Sequence, residues 1–301
     1  MSTLEILHEP NYSIETQIHE LIHYPNYPAY QIDFRQLLQS FDALIIDSLI
    51  INHDISNMSS AEKEVVYNKI GNLVLNIGDQ HVLYLPISFL ANLNNPLIQN
   101  GSFELKTSLD IFFDRLIYSP FQRWEMRLES ETFCHWKIAV KIRGICYEND
   151  YRKKLIQENI TCYSDMSSLY TIQFSPTFNL YNKLCFNGQT RGIYLIGDVS
   201  SITSIKLEGD GVIYKNYDYN AIEQYCHKIN ENILFVPIKP GEKYNNMSAN
   251  KWDECINLNI INEFYINLTF SKPISEMSFI SESKNILKRT PETFLIKQFS
   301  N

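Results

Sequence analysis

The sequence predicts an all-β protein with a few short helices, built as two consecutive jelly-roll β-sandwiches. Three observations lead there. Between residues 232 and 270 apolar side chains fall at every second position: Ile256, Leu258 and Ile260, then Phe264, Ile266, Leu268 and Phe270 after a break at Asn262-Glu263. Side chains two apart share one face of a strand, so this alternation describes strands covered on one side. The same pattern recurs along most of the chain, broken by turn signals at intervals of about 8–12 residues. Each half holds about seven or eight such runs, enough for one eight-stranded jelly roll.

The elements follow in order. Residues 1–30 read as an N-terminal arm with an amphipathic helix over 13–23, stopped by Pro25 and Pro28. Residues 31–150 read as the first jelly roll. The run 43–51 is almost continuously apolar, as in a strand covered on both faces. A short helix starts at Ser59, with Glu62 in the capping-box position. Leu73, Leu75 and Ile77 alternate, a strand over 81–90 follows, and Asn100-Gly101 marks a tight turn. Residues 103–113 form a long strand. Trp136, Ile138, Val140 and Ile142 line one face of another, opposite Lys137, Lys141 and Arg143.

The polar stretch 151–168 reads as a linker and 169–290 as the second jelly roll. Strands are expected over 171–174, 178–186, 192–197, 204–207, 212–214 and 233–238, with Asn187-Gly188 and Gly209-Asp210-Gly211 as turns. A helix over 219–229, capped by Asp218, buries Ile222, Tyr225, Cys226 and Ile229. Residues 291–301 are left as a C-terminal tail.

Composition narrows the function classes. The 301 residues are 45% hydrophobic and 20% charged, the balance of a folded globular chain. A net charge of −8 disfavours non-specific nucleic-acid binding, and Arg152-Lys153-Lys154 is offset by Glu148, Asp150 and Glu158. No run reaches the roughly 18 apolar residues of a membrane span. The N-terminus lacks the basic and apolar regions of a secretory signal, which points to synthesis and residence in a cytosol. Cys134, Cys146, Cys162, Cys185, Cys226 and Cys255 are scattered without a C-x-x-C pair and read as free thiols.

One motif carries sharp chemistry. His19-Glu20-Leu21-Ile22-His23 fits H-E-x-x-H, which on a helix places two imidazoles on one face for zinc with the Glu as general base. Context argues against it. Only eighteen residues precede His19, the helix must stop at Pro25, and Asn26 and Ala29 stand where the longer motif has Gly and a third His. Glu62 and Glu64 are equally eligible as a distant ligand, and nothing selects either. Cys134 and His135 are neighbours on a strand and face opposite ways, so they do not form a nucleophile–base pair. Tyr214, Tyr217 and Tyr219 are candidates for a sugar platform or for packing. No G-x-S-x-G elbow, P-loop or Rossmann fingerprint is present. The reading is therefore no catalytic, cofactor-binding or metal-ligating residues, and no enzyme.

The order of blocks resembles the double jelly-roll major capsid proteins of large DNA viruses and tailless, membrane-containing viruses. Residues 84–90, then Asn95-Pro96-Leu97-Ile98, are similar to that family's "LPxxF … NP … LPLI" segment. Phe178-Asn179-Leu180 and residues 192–196 resemble a strand pair opening its second roll, and residues 205–209 its "LxLNG" turn. The helix over 219–229 before residues 233–240, the run 247–270 and the closing residues 283–289 keep the same order. The shared order covers about residues 70–290, in a divergent and compact member with reduced tower loops. The resemblance implies a viral capsid structural protein in the virion: a homotrimer forming pseudo-hexagonal capsomers of an icosahedral shell. It implies contacts with neighbouring capsomers, and with minor capsid proteins or an inner membrane through the arm, but no sequence-specific nucleic acid. Two rival readings are a carbohydrate- or receptor-binding β-sandwich protein and a zinc metallopeptidase through His19, Glu20 and His23.

Overall fold

The structure is a computed structural model that describes residues 15–23, 31–34, 43–52, 71–94, 97–99, 102–105, 116–117, 123–129, 137–147, 160–166, 169–238, 255–289 and 295–299. It is dominated by antiparallel strands, as the alternation predicts. The first sheet contains β1 (Glu15–His23), β3 (Ala43–Asn52), β6 (Leu97–Gln99), β7 (Ser102–Leu105), β8 (Leu116–Ile117) and β10 (Lys137–Tyr147). A four-stranded sheet contains β2 (Gln31–Asp33), β4 (Asn72–Ile77), β5 (Gln80–Pro86) and β9 (Trp124–Glu129). Helix α1 (Ile87–Asn94) joins β5 to β6.

The second half holds β11 (Ile160–Met166), β12 (Tyr170–Lys183), β13 (Gln189–Ile196), β14 (Ile202–Gly209) and β15 (Val212–Tyr217). After these come α2 (Tyr219–Tyr225), β16 (His227–Asn230), β17 (Ile233–Pro237), β18 (Ile256–Asn257), β19 (Phe264–Arg289) and β20 (Leu295–Phe299).

Strand pairing reveals the same topology twice. In chain order β1, β2, β3, β4, β5, β7, β9 and β10 are strands one to eight of the first roll, and its sheets run 1-8-3-6 and 2-7-4-5. The two sheets of the second roll repeat those orders. There β11, β12, β13, β14, β15 and β17 are strands one to six, and the single long β19 supplies strands seven and eight in succession. The accessory elements repeat too. A helix follows strand five in both halves, a short strand then pairs with strand six, and β8 and β18 pair with the start of strand three. Two such rolls in one chain are a double jelly roll.

β19 passes from one sheet of its roll to the other. Ser175, Pro176 and Pro273 lie where its ladder with β12 changes register; a proline removes an N–H, so it fits a break in pairing. Before the crossover β19 alternates as expected, with Phe264, Ile266, Leu268 and Phe270 buried. After it every residue from Met277 to Ser283 is buried, so this part of the strand is covered on both faces.

Several elements differ from expectation. Residues 15–23 are not a helix: β1 is strand one of the first roll, in register with β10. Ladder bonds to a strand more than a hundred residues away outweigh the local helical pattern. β11 lies inside the stretch expected to be a linker and pairs with residues 282–288, and β20 lies inside the expected tail and pairs with residues 285–289. The strand expected over 81–90 ends at Pro86. Its continuation is α1, which buries Ile87, Phe89 and Leu90. The helix expected over 219–229 stops at Tyr225, because Cys226 adopts an extended conformation and β16 begins. Asp218 caps it as predicted, its Oδ1 accepting from the Ala221 N–H at 2.8 Å. Residues 258–260 form a 3-10 turn rather than a strand. The Asn257 side chain accepts from the Asn259 N–H at 3.1 Å, Leu258 turns inward, and Ile260 is left 76% exposed. The expected helix at Ser59, the Asn100-Gly101 turn, residues 106–115, Cys134, His135 and Arg152–Lys154 lie outside the described residues.

The hairpin joining β14 and β15 turns through Asp210 (φ 48°) and Gly211 (φ 79°), the two left-handed residues of a tight antiparallel turn. Asp210 also ties this tip to the chain entering β19: its carboxylate accepts from the Asn262 N–H at 3.1 Å and the Glu263 N–H at 2.9 Å. Replacing Asp210 by Ala adds a residue less tolerant of positive φ and removes both acceptors. A loss of about 2 kcal/mol in urea unfolding is expected, with Asp210→Gly losing distinctly less. Among the described cysteines Cys185 and Cys226 are free thiols, and burial pushes Cys226 up to about 12. A raised thiol carries little thiolate. Peptide mapping after iodoacetamide treatment of folded protein is expected to find exposed Cys185 alkylated and Cys226 spared.

Candidate functional site

The place where unlike residues converge is the junction between the two rolls. It is built on the 1-8-3-6 sheet of the second roll, whose central strands are apolar on both faces. Ile193, Leu195, Leu234, Val236, Met277 and Phe279 face the roll's own core. Tyr194, Phe235 and Ile280 form one row across β17, β13 and β19 on the opposite face, and their exposures are 0%, 3% and 0%. A face so apolar needs a cover.

The first roll supplies it. α1 lies beside β16, while β5 lies beside β11 and β20. Phe89 of α1 meets Tyr194 edge to face at a centroid distance of 5.3 Å, and Tyr194 in turn lies 4.8 Å from Phe235. Edge-to-face pairs bring the positive rim of one ring to the negative face of the other, adding about 0.5–1.5 kcal/mol to burial.

A buried charge sits in this apolar setting. Glu282 is 1% exposed and accepts from the Tyr194 hydroxyl at 3.0 Å and from Arg191 Nη2 at 2.7 Å; that nitrogen is also 2.6 Å from the other carboxylate oxygen. The guanidinium carbon stands 5.5 Å from the centre of the Phe235 ring, a cation–π contact. Arg191 reaches this side because the ladder between β13 and β19 shifts register between Thr190 and Gly192, and a bulge re-aims the residue it inserts. Gly192 is required beside it: a Cβ there would lie 2.2 Å from the Phe235 ring.

The residues singled out by sequence are not brought together. His19, Glu20 and His23 lie on β1, paired with Gly144, Arg143 and Val140. Four residues span about 13 Å along a strand against about 6 Å along a helix, so the backbone spacing a shared zinc ion needs is absent. Among the described residues no group of three His, Cys, Asp or Glu is placed to hold a metal. Tyr217 turns inward and its hydroxyl donates to the Pro237 carbonyl at 3.0 Å, while Tyr219 is 54% exposed. The proposed tyrosine platform therefore does not form. On the first roll Asp33 stands directly opposite Glu125, and the clash of like charges is relieved by Arg123 and Arg127, 2.6 and 3.0 Å from the Glu125 carboxylate. Sequence reasoning missed Glu282 and Arg191. The register bulge that aims Arg191 carries no local signal, and Ser281-Glu282-Ser283 reads as an exposed polar turn.

Fold and junction together define a double jelly-roll chain. By sequence it matches no protein-family model and no curated relative. By structure it is similar to viral capsid proteins. The VP54 protein of PBCV-1, fitted into a reconstruction of the virophage Sputnik, aligns with a TM-score of 0.60 at 8% identity, over 95% of this chain and 97% of that one. The major capsid protein P2 of bacteriophage PM2 aligns at 0.56 and 11% identity, over 91% and 99%. A chain of Sulfolobus Turreted Icosahedral Virus aligns at 0.55 and 11%, over 89% and 90%. Identities this low establish the shared fold alone.

Removing one partner of a buried ion pair strands the other charge. Glu282→Ala is expected to cost about 3–5 kcal/mol, and the double change Arg191→Met with Glu282→Leu to recover most of that loss, read in a double-mutant cycle of urea unfolding.

Proposed function

We propose that this chain is a capsid structural protein, a double jelly-roll subunit whose task is to associate with copies of itself in the shell of a virion. One observation carries the reading: the jelly-roll topology occurs twice, element for element, in a chain that aligns over nearly its whole length with PM2 P2 and PBCV-1 VP54. The chain divides on this reading into one roll over residues 15–147 and a second over 160–289. A trimer then sets six rolls around one axis, a pseudo-hexagonal unit able to tile a surface. The role is structural rather than catalytic, and it accords with a junction whose buried polar groups, on Arg191, Tyr194 and Glu282, are spent on one another. Neighbouring capsomers, minor capsid proteins or an inner membrane would be further partners of the assembled unit.

Sedimentation equilibrium of purified protein across a wide concentration range tests this. A species of about three times the 35.3 kDa chain mass, appearing as hexagonal particles under negative stain, is the expected result. A strict monomer at high concentration would sink the reading.

A further inference from the structure

We infer that Tyr181 and Tyr265 form an oxidative coupling site, where a one-electron oxidant of phenols joins the two rings into dityrosine and ties β12 to β19 by a covalent bond. The site goes beyond the structural role proposed above and does not require self-association.

The inference comes from the register of two strands. Leu180, Phe264, Ile266 and Leu268 enter the core of the second roll, so Tyr181 and Tyr265 stand on the outer face of the 2-7-4-5 sheet. In the ladder Tyr181 lies opposite Asn267, and Lys183 opposite Tyr265. The two tyrosines are therefore diagonal neighbours, a spacing that aromatic rings can bridge. They do bridge it: the ring centroids are 4.9 Å apart and the planes lie within 8° of parallel. Tyr181 is 57% exposed and Tyr265 half-buried, so an oxidant reaches the pair from solvent. A second tyrosine pair, Tyr217 and Tyr225, lacks this geometry. Its rings are 6.3 Å apart and tilted by 35°, and Tyr217 is buried with its hydroxyl held by the Pro237 carbonyl.

Coupling needs both phenols as radicals. The oxidant removes one electron from each ring, and each hydroxyl releases its proton. Partial desolvation and the neighbouring Glu263 carboxylate hold the Tyr265 phenol above the usual tyrosine value, so at neutral pH its proton must leave with the electron. Glu263, paired with Lys183 at 3.2 Å, stands beside that hydroxyl as an acceptor. In the neutral radicals the unpaired electron is shared with the ring carbons ortho to oxygen. One such carbon from each ring forms the new carbon–carbon bond. The hydrogen on each then moves to its oxygen through solvent and restores both phenols. With hydrogen peroxide as the terminal oxidant, two tyrosines and one peroxide give one dityrosine and two waters. Radicals on separate molecules must first meet, whereas these are held in contact by the sheet. Among the described residues β12 pairs with β19 alone. A bond closing the loop between residues 181 and 265 restrains the unfolded chain as a disulfide does.

The test treats dilute full-length protein with a peroxidase and limiting hydrogen peroxide and follows dityrosine fluorescence. Peptide mapping is expected to find residues 181 and 265 joined within one chain, with the mass lowered by two hydrogen atoms. The coupled chain is expected to unfold at higher urea. Tyr181→Phe and Tyr265→Phe, each with its urea midpoint unchanged before oxidation, are expected to lose most of the fluorescence, and Tyr225→Phe to keep it. Dityrosine confined to links between chains, mapped to other pairs, or surviving both Phe variants would overturn the site. So would no coupling under conditions that couple free N-acetyltyrosine.

Discussion

The structure depends on a sheet that is apolar on both faces. A jelly-roll sheet facing water on one side shows buried and exposed residues in alternation, as β19 does between Phe264 and Phe270. From Met277 to Ser283 β19, with β13 and β17 beside it, shows no exposed residue on either face. Ile193, Tyr194 and Leu195 are each fully buried. Taken alone, the second roll would expose Tyr194, Phe235 and Ile280 as one continuous patch, and apolar surface of that kind favours collapse or aggregation. The two rolls are for this reason one structural unit. Glu282 and Arg191, both on the second roll, pair with each other beneath that cover, so the charge they bring into the apolar layer is matched within the roll itself.

The repeat of topology carries almost no repeat of sequence, and the physics explains why. Both helices that follow strand five need one inward apolar residue and a defined start. α1 meets this with Leu90 after Pro86, and α2 with Ile222 after the Asp218 cap. Neither solution constrains the other residues of the turn. The same strand order is likewise reached by hydrogen-bond register and by the parity of apolar positions, which many residue choices satisfy.

What was legible in the sequence follows the same division. One-sided strands announce themselves through parity, so Phe264–Phe270 was readable, as was the Asp218 cap. Elements decided by distant partners were not. Ile14, Ile18, Leu21 and Ile22 satisfy a helical spacing, and only the β10 edge, far along the chain, makes residues 15–23 a strand. Ile256, Leu258 and Ile260 satisfy a strand spacing, but only Ile256 lies in a strand; at residues 258–260 the Asn257 side chain accepts from the Asn259 N–H and the Leu258 carbonyl from the Ile261 N–H, which closes a turn. The junction was least legible of all. Burial of Glu282 depends on the first roll arriving from more than a hundred residues away, and a carboxylate between two serines carries no mark of that.

Joining the rolls covalently changes what each contact must do. The contact between the two rolls lies within one chain. The tether holds that partner at high effective concentration, so the contact forms without the entropy cost of association between chains. It encloses a desolvated ion pair and a glycine pressed against an aromatic ring, all of them on the second roll: Arg191 and Gly192 on β13, Phe235 on β17 and Glu282 on β19. Docking of the first roll therefore does not make the pair; it withdraws water from a pair whose charges are already matched, and that match is what lets an apolar cover close without stranding an ion.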